Sequence, residues 1–167
     1  MHDELTKNDI KQMKEELDYR RTVLMPRLLE EVKTARAFGD LSENFEYKAA
    51  KQEQNRNRSR IRYLERMIST ARVLKDTSKA DEVGLFDKVT VWFDEDEMEE
   101  TYQIVSTVKI DVLSNLISNV SPLGRALLGC KVGETVKVTA ENGYTYPVTI
   151  CSIEKQEEDG GIPLDEY

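Results

Sequence analysis

The 167-residue chain has one histidine, His2, two cysteines, Cys130 and Cys151, one tryptophan and four prolines. A lone histidine beside the N-terminus argues against a histidine-based triad, a His-containing zinc site or a histidine general base. The two cysteines lie far apart, without metal-ligand spacing, and read as small core residues. No apolar run approaches the ~20 residues of a membrane span. Met1-His2-Asp3-Glu4 lacks the basic-then-apolar pattern of a secretion signal. A soluble, cytoplasmic, monomeric protein with no membrane partner is therefore expected.

What is present is charge: 34% of residues are charged and only 39% hydrophobic, which suits an extended helical part with much surface. The charge is divided. Residues 1–75 carry 17 lysines and arginines against 13 acids, net +4, and residues 76–167 carry 7 against 19, net −12. Two parts with different partners are implied.

Thr6 can cap a first helix, with Asp9 acidic at its third position. Ile10, Met13, Leu17, Leu24, Leu28, Val32 and Ala35 then recur at helical spacing, heptad-like at first and eleven-residue later. Pro26 inside this run predicts a local kink rather than a stop, because the pattern resumes beyond it. A second run, Tyr47, Ala50, Gln54, Asn57, Ile61, Leu64, Ile68, Ala71 and Lys75, steps by 3 and 4 throughout. Turn chemistry between two such runs predicts an antiparallel helical hairpin over residues 1–75. Each arm would have ~28–34 residues and be about 40–50 Å long at 1.5 Å per residue, so the hairpin should project.

Residues 76–82 read as a polar linker. Alternation over 86–93, 101–106, 134–140 and 144–153 predicts strands, with a short one over 113–119 and an acidic turn at 94–100. Asn142-Gly143 marks a hairpin. Ser121, Pro122 and Gly129 read as cap, first residue and stop of a compact helix. Residues 83–155 thus form a small α+β domain with a mostly antiparallel sheet, followed by an acidic tail, 156–167, expected to be flexible.

The hairpin turn, near 39–46, carries Gly39, Asp40 and Glu43. Asp40-Leu41-Ser42-Glu43 fits a capping box for the second helix, and Gly39 a left-handed stop for the first. Two carboxylates three residues apart make a poor magnesium site alone, since magnesium keeps its waters and wants further ligands such as phosphates. Any ion they bind should be shared with another macromolecule. Glu46, a third nearby acid, reads first as a first-turn helix residue. Further along, Arg56, Arg58, Arg60, Arg62 and Arg66 crowd one helix, with i, i+4 stacks at 56/60 and 58/62/66. They read either as a solvated face or as a basic strip that holds RNA phosphates.

Ala35-Arg36, Gly39-Asp40-Leu41-Ser42-Glu43-Asn44, Glu46-Tyr47 and Ala49-Ala50-Lys51 resemble the signature of bacterial Gre transcript cleavage factors. Asn115-Leu116-Ile117-Ser118, Ser121-Pro122 and Ala126-Leu127-Leu128-Gly129 resemble that family's C-terminal motif. The likeness spans about residues 5–155. It implies a coiled-coil hairpin that enters the secondary channel of RNA polymerase, and a C-terminal domain resembling FK506-binding proteins that docks on the channel rim. Docking would involve Ser121, Pro122 and Leu123, though a buried leucine stripe is the more usual reading of that helix. Asp40 and Glu43 match the family's two acidic tip residues, which help hold a second magnesium ion while the polymerase hydrolyses the 3′ end of the backtracked nascent RNA. The chain itself would not be an enzyme and would keep no tightly bound cofactor. The resemblance does not choose between the GreA and GreB subtypes.

Phe45 departs from the pattern, standing where the family carries a small residue. An aromatic there would pack on a channel wall, stack on RNA bases, or tilt the tip. Two rivals stay open: a Gre-like channel binder that inhibits transcription, and a prolyl isomerase or chaperone acting through residues 76–155. Likeness to an isomerase fold carries no activity by itself.

Overall fold

The structure is a computed structural model, described here for residues 4–39, 43–157 and 162–164. Asp40 and most of the 156–167 tail, on which expectations were placed, lie outside the described residues. In chain order the elements are β1 (Glu4–Leu5), α1 (Lys7–Tyr19), α2 (Met25–Arg36), α3 (Phe45–Thr70), β2 (Arg72–Val73), β3 (Lys88–Phe93), β4 (Met98–Val105), β5 (Leu116–Ser118), α4 (Pro122–Leu127), β6 (Thr135–Thr139) and β7 (Thr145–Glu154). They divide into two compact units, one of residues 7–72 and one of residues 4–6 with 73 onward.

The first unit is the helical hairpin. Met13, Leu17, Leu28, Val32 and Ala35 of its first arm are buried, as are Ile61, Leu64 and Met67 of α3. Between α1 and α2 the chain widens into a π turn, Arg20–Leu24, closed by a bond from the Met25 amide to the Arg20 carbonyl. This is how the arm accommodates Pro26, which sits in the first turn of α2. A proline ring presses on the carbonyl four residues back, and a wider turn there gives it room.

The second arm is shorter than its periodicity predicts. α3 stops at Thr70, about 39 Å from its start at 1.5 Å per residue. Ala71 is already extended, and the Leu74 amide donates to the Leu5 carbonyl at 2.7 Å. The boundary expected at residue 75 therefore falls at 72/73, because a backbone partner at the start of the chain takes the segment out of the helix.

The second unit is built on a five-stranded sheet, ordered β5-β4-β3-β7-β6, antiparallel except for the β4/β5 pair. Alternate residues Val89 and Val91, Val148 and Ile150 turn inward, and pack with Val83, Leu85, Ile104, Leu127 and Val138. Cys130 joins this core, but Cys151 is exposed. It follows inward Ile150 in β7, and a period of two turns it outward. The acidic turn is tighter than expected, since β4 already begins at Met98. At the Asn142-Gly143 turn, Gly143 has φ +86° and the Asn142 side chain accepts from the Tyr144 amide at 3.0 Å.

The polar stretch 76–82 is not a loose linker. The Lys155 ammonium donates to Ser78 Oγ at 3.1 Å and to the carbonyls of Lys79 and Glu82 at 3.3 and 2.8 Å. It also pairs with the buried carboxylate of Asp87 at 2.6 Å. Asp87 further accepts from the amides of Gly84 and Gln156, so the chain is held one residue into the expected tail.

Gly124 in α4 is required by close approach, because a Cβ there would lie 2.1 Å from the Ser118 carbonyl oxygen. Alanine is the better helix former by about 1 kcal/mol, but the clash with a backbone atom outweighs that gain. Gly124→Ala should destabilise the protein by about 2 kcal/mol, read as a lower urea midpoint.

Candidate functional site: the hairpin tip and its supports

The tip is built by a single amide side chain. Asn44, extended at φ −84° and ψ 93°, is the N-cap of α3, and its Oδ1 accepts from the Tyr47 amide at 3.0 Å. Its Nδ2 donates at 2.6 Å to the Ala35 carbonyl in the last turn of α2, which also accepts from the Phe38 amide at 3.2 Å. One residue thus closes the start of one helix onto the end of the other. This corrects the capping-box reading of Asp40 and Glu43: the helix starts after Asn44, so Glu43 lies outside it, in an exposed turn. Among the described residues Glu43 has no hydrogen-bond or ion-pair partner. Gly39 has φ +125°, with nothing within 4 Å of a notional Cβ, so glycine is needed there for backbone conformation. Glu46 lies in the first turn of α3, where the helix dipole favours it.

Arg36 steadies the tip from the other arm. Its guanidinium donates to the Tyr47 hydroxyl at 3.3 Å and lies 5.5 Å from that ring's centroid. The hydrogen bond from Arg36 is the main cause holding the Tyr47 phenol below its ordinary pKa, against partial desolvation and with help from the charges of Arg36 and Lys51. Asn44→Ala should cost about 1 kcal/mol of helix stability. Asn44→Asp keeps the acceptor that caps α3 but loses the donor to Ala35. It should therefore retain the helix content by circular dichroism while the amide of Phe38, bonded to the same Ala35 carbonyl at 3.2 Å, exchanges hydrogen faster.

Below the tip a polar layer crosses the seam. Arg60 donates to both oxygens of Glu16, at 2.7 and 3.1 Å, and Arg20 donates to Glu16 at 2.7 Å. Arg20 also reaches Asn57 Oδ1 at 3.0 Å, while Asn57 Nδ2 donates to the Arg20 carbonyl inside the π turn at 3.4 Å. Arg21 pairs with Glu65 beside this layer. Burial pushes the Glu16 carboxyl upward, but the hydrogen bonds and charges of Arg60 and Arg20 outweigh it and hold its pKa below the usual glutamate value.

The arginine run therefore splits. Arg60 is buried and bound across the seam, which takes it out of the expected RNA-facing set. Arg58, Arg62 and Arg66 are exposed. Arg62 reaches Ser59 Oγ at 3.2 Å, and Arg66 lies 5.7 Å from the Tyr63 ring centroid. Arg56, also exposed, pairs with Glu53 at 2.6 Å.

In the second unit, Ser121 Oγ accepts from the Gly124 amide at 3.0 Å and donates to the Ser118 carbonyl at 2.7 Å, and Pro122 opens α4 as expected. Leu123 and Leu128 pack against the core and Leu127 is fully buried. The exposed side chain of this helix is Arg125, which donates to the Val120 carbonyl at 3.0 Å. Among the described residues no group of three or more histidine, cysteine, aspartate and glutamate side chains could hold a metal ion, and no helix is long and apolar enough to cross a membrane.

A helical hairpin with an exposed acid just before the cap of its second helix, followed by a small α+β unit, is the architecture of the described residues. The family described as "Transcription elongation factor, N-terminal" matches residues 4–73, and "Transcription elongation factor, GreA/GreB, C-term" matches residues 77–155. The chain belongs to this GreA/GreB family of transcription elongation factors. It is 47% identical over 141 residues to transcription elongation factor GreA of Caldanaerobacter subterraneus, covering 83% of this chain and 89% of that one. It is 39% identical over 149 residues to GreA of Staphylococcus saprophyticus, covering 89% and 94%. Among solved structures, GreA factor homolog 1 (Gfh1) of Thermus thermophilus aligns with 26% identity and a TM-score of 0.42, over 93% of this chain and 100% of that one.

Proposed function

We propose that the hairpin enters the secondary channel of RNA polymerase and carries Asp40 and Glu43 to the polymerase active site, where they promote hydrolysis of backtracked RNA near its 3′ end. The observation that carries this reading is the cap: Asn44 does the work of closing the helix, and leaves Glu43 exposed beyond it. An acid used by its own helix would have little left to offer a partner.

The donor chemistry fits magnesium. Carboxylate oxygens are hard ligands, and two of them leave the rest of an octahedron to waters, phosphates and the polymerase's own residues. When bound there, magnesium supplies Lewis-acid polarisation of the scissile phosphodiester. The protein's own contribution is delivery and stiffness. Asn44 and Arg36 hold the two helix ends together at the tip, and the Glu16–Arg60 layer fixes the register of the arms behind it. The catalytic centre remains the polymerase's, and this chain is an auxiliary factor.

The exposed arginines Arg58, Arg62 and Arg66 suit contact with the phosphates of extruded RNA. Replacing both Arg58 and Arg62 by alanine should weaken binding to a backtracked complex and lower the log–log salt slope by about 1.4, at ~0.7 per single-strand phosphate contact. The test of the whole reading is an arrested complex with its RNA 3′ end extruded. Added protein should shorten that RNA from its 3′ end. Slowed elongation without shortening would make the chain a channel-binding inhibitor instead.

A further inference from the structure

Two aromatic residues flank the acidic turn and both are exposed: Phe38 at 71% and Phe45 at 80%. Exposed apolar side chains grouped at one place mark a contact surface. Phe45 is the first residue of α3, directly after the capping Asn44, so its backbone is held in place. Lys48, one turn on, sets its ammonium 5.7 Å from the Phe45 ring centroid and has no ion-pair partner among the described residues. A ring with a cation beside it, next to an exposed carboxylate, has the makings of a nucleotide contact: a π-face for the base and positive charge for the phosphate. Beside Phe45 in sequence stand Glu43, Asn44, Glu46 and Lys48, a polar and charged setting that suits a nucleotide.

We propose that Phe45 stacks on the base of the extruded 3′ nucleotide, with Lys48 beside its phosphate, and so holds the RNA end at the carboxylates. This rests on the tip's delivery to the RNA 3′ end. Phe45 is then a substrate-positioning residue, and its contact tolerates any base, because every base has a π-face.

The test measures affinity rather than cleavage, so that the two ideas fail separately. The full-length chain carrying Asp40→Ala and Glu43→Ala is titrated onto backtracked complexes whose RNA ends in an ordinary or an abasic 3′ nucleotide. Titrations are made with Phe45 in place and with Phe45→Leu, which keeps apolar bulk but removes the π-face. Base removal and Phe45→Leu should each weaken binding about tenfold, and together no more than either alone. Penalties that multiply, or a Phe45→Leu variant that binds as tightly as its parent, would overturn the stack and assign Phe45 to the channel wall. Cleavage by the unaltered chain without Phe45-dependent affinity would leave the proposed function standing and remove only this inference. Phe45-dependent affinity without cleavage would do the reverse.

Discussion

Glu43→Ala is expected to lower stimulated RNA cleavage by about two orders of magnitude and to leave the hairpin's stability unchanged within about 0.5 kcal/mol. The two halves of this expectation come from one geometry. Glu43 precedes the cap of α3 and is exposed, so the folded hairpin does not depend on it. A capping-box glutamate would be different, since its loss would cost about 1 kcal/mol of helix stability. Removing an oxygen ligand at an ion that stabilises a phosphoryl transition state costs several kcal/mol, and each 1.36 kcal/mol is tenfold in rate. Asp40→Ala should lower cleavage similarly. Both variants should still bind the polymerase, because neither substitution touches the Asn44 and Arg36 bonds that hold the tip together. Thermal unfolding alongside cleavage of a backtracked complex checks both halves.

Arg60→Met is expected to destabilise the hairpin by about 2 kcal/mol, less than the ~3–5 kcal/mol of breaking a fully buried pair, because Glu16 stays part-exposed and Arg20 still partners it. A solvated surface arginine would cost almost nothing, so urea denaturation separates the two placements of Arg60 cleanly. Acid should act on the same layer. The pKa of Glu16 is held below its ordinary value in the fold. Its contribution is therefore fully present above the unfolded glutamate pKa, about 4.3, and is lost as pH falls through the lower folded value. Glu16→Gln should flatten that part of the stability profile.

Much of the hairpin was legible as periodicity: Met13, Leu17, Leu28, Val32, Ile61 and Leu64 were expected in the seam and are buried there. Two errors shared a cause, the choice between adjacent residues at similar helical phase. Asn57, Arg60, Leu64 and Met67 also step by 3 and 4, so the sequence admitted Arg60 and Met67 to the seam, but the arginine run drew attention to its charge. At the tip, Asp40-Leu41-Ser42-Glu43 matched a capping box while Asn44 made the cap. Asn44 accepts from Tyr47 and donates to Ala35 with the two ends of one amide, and the second bond reaches nine residues back, outside any helix-start motif. The early end of α3 was hidden for the same reason, since its backbone partner, Leu5, lies at the far end of the chain segment. The outward face of Cys151 follows from the alternation around buried Ile150, a signal that the sparse cysteine spacing alone does not carry.

The central claim is that the tip acids act at an ion shared with the polymerase. It is tested most directly by the magnesium concentration that half-saturates RNA cleavage in a backtracked complex. The factor should lower that concentration, and Glu43→Gln, which keeps the shape but not the charge, should return it towards the factor-free value while still binding. An unchanged magnesium requirement, or full stimulation by Glu43→Gln, would contradict the claim.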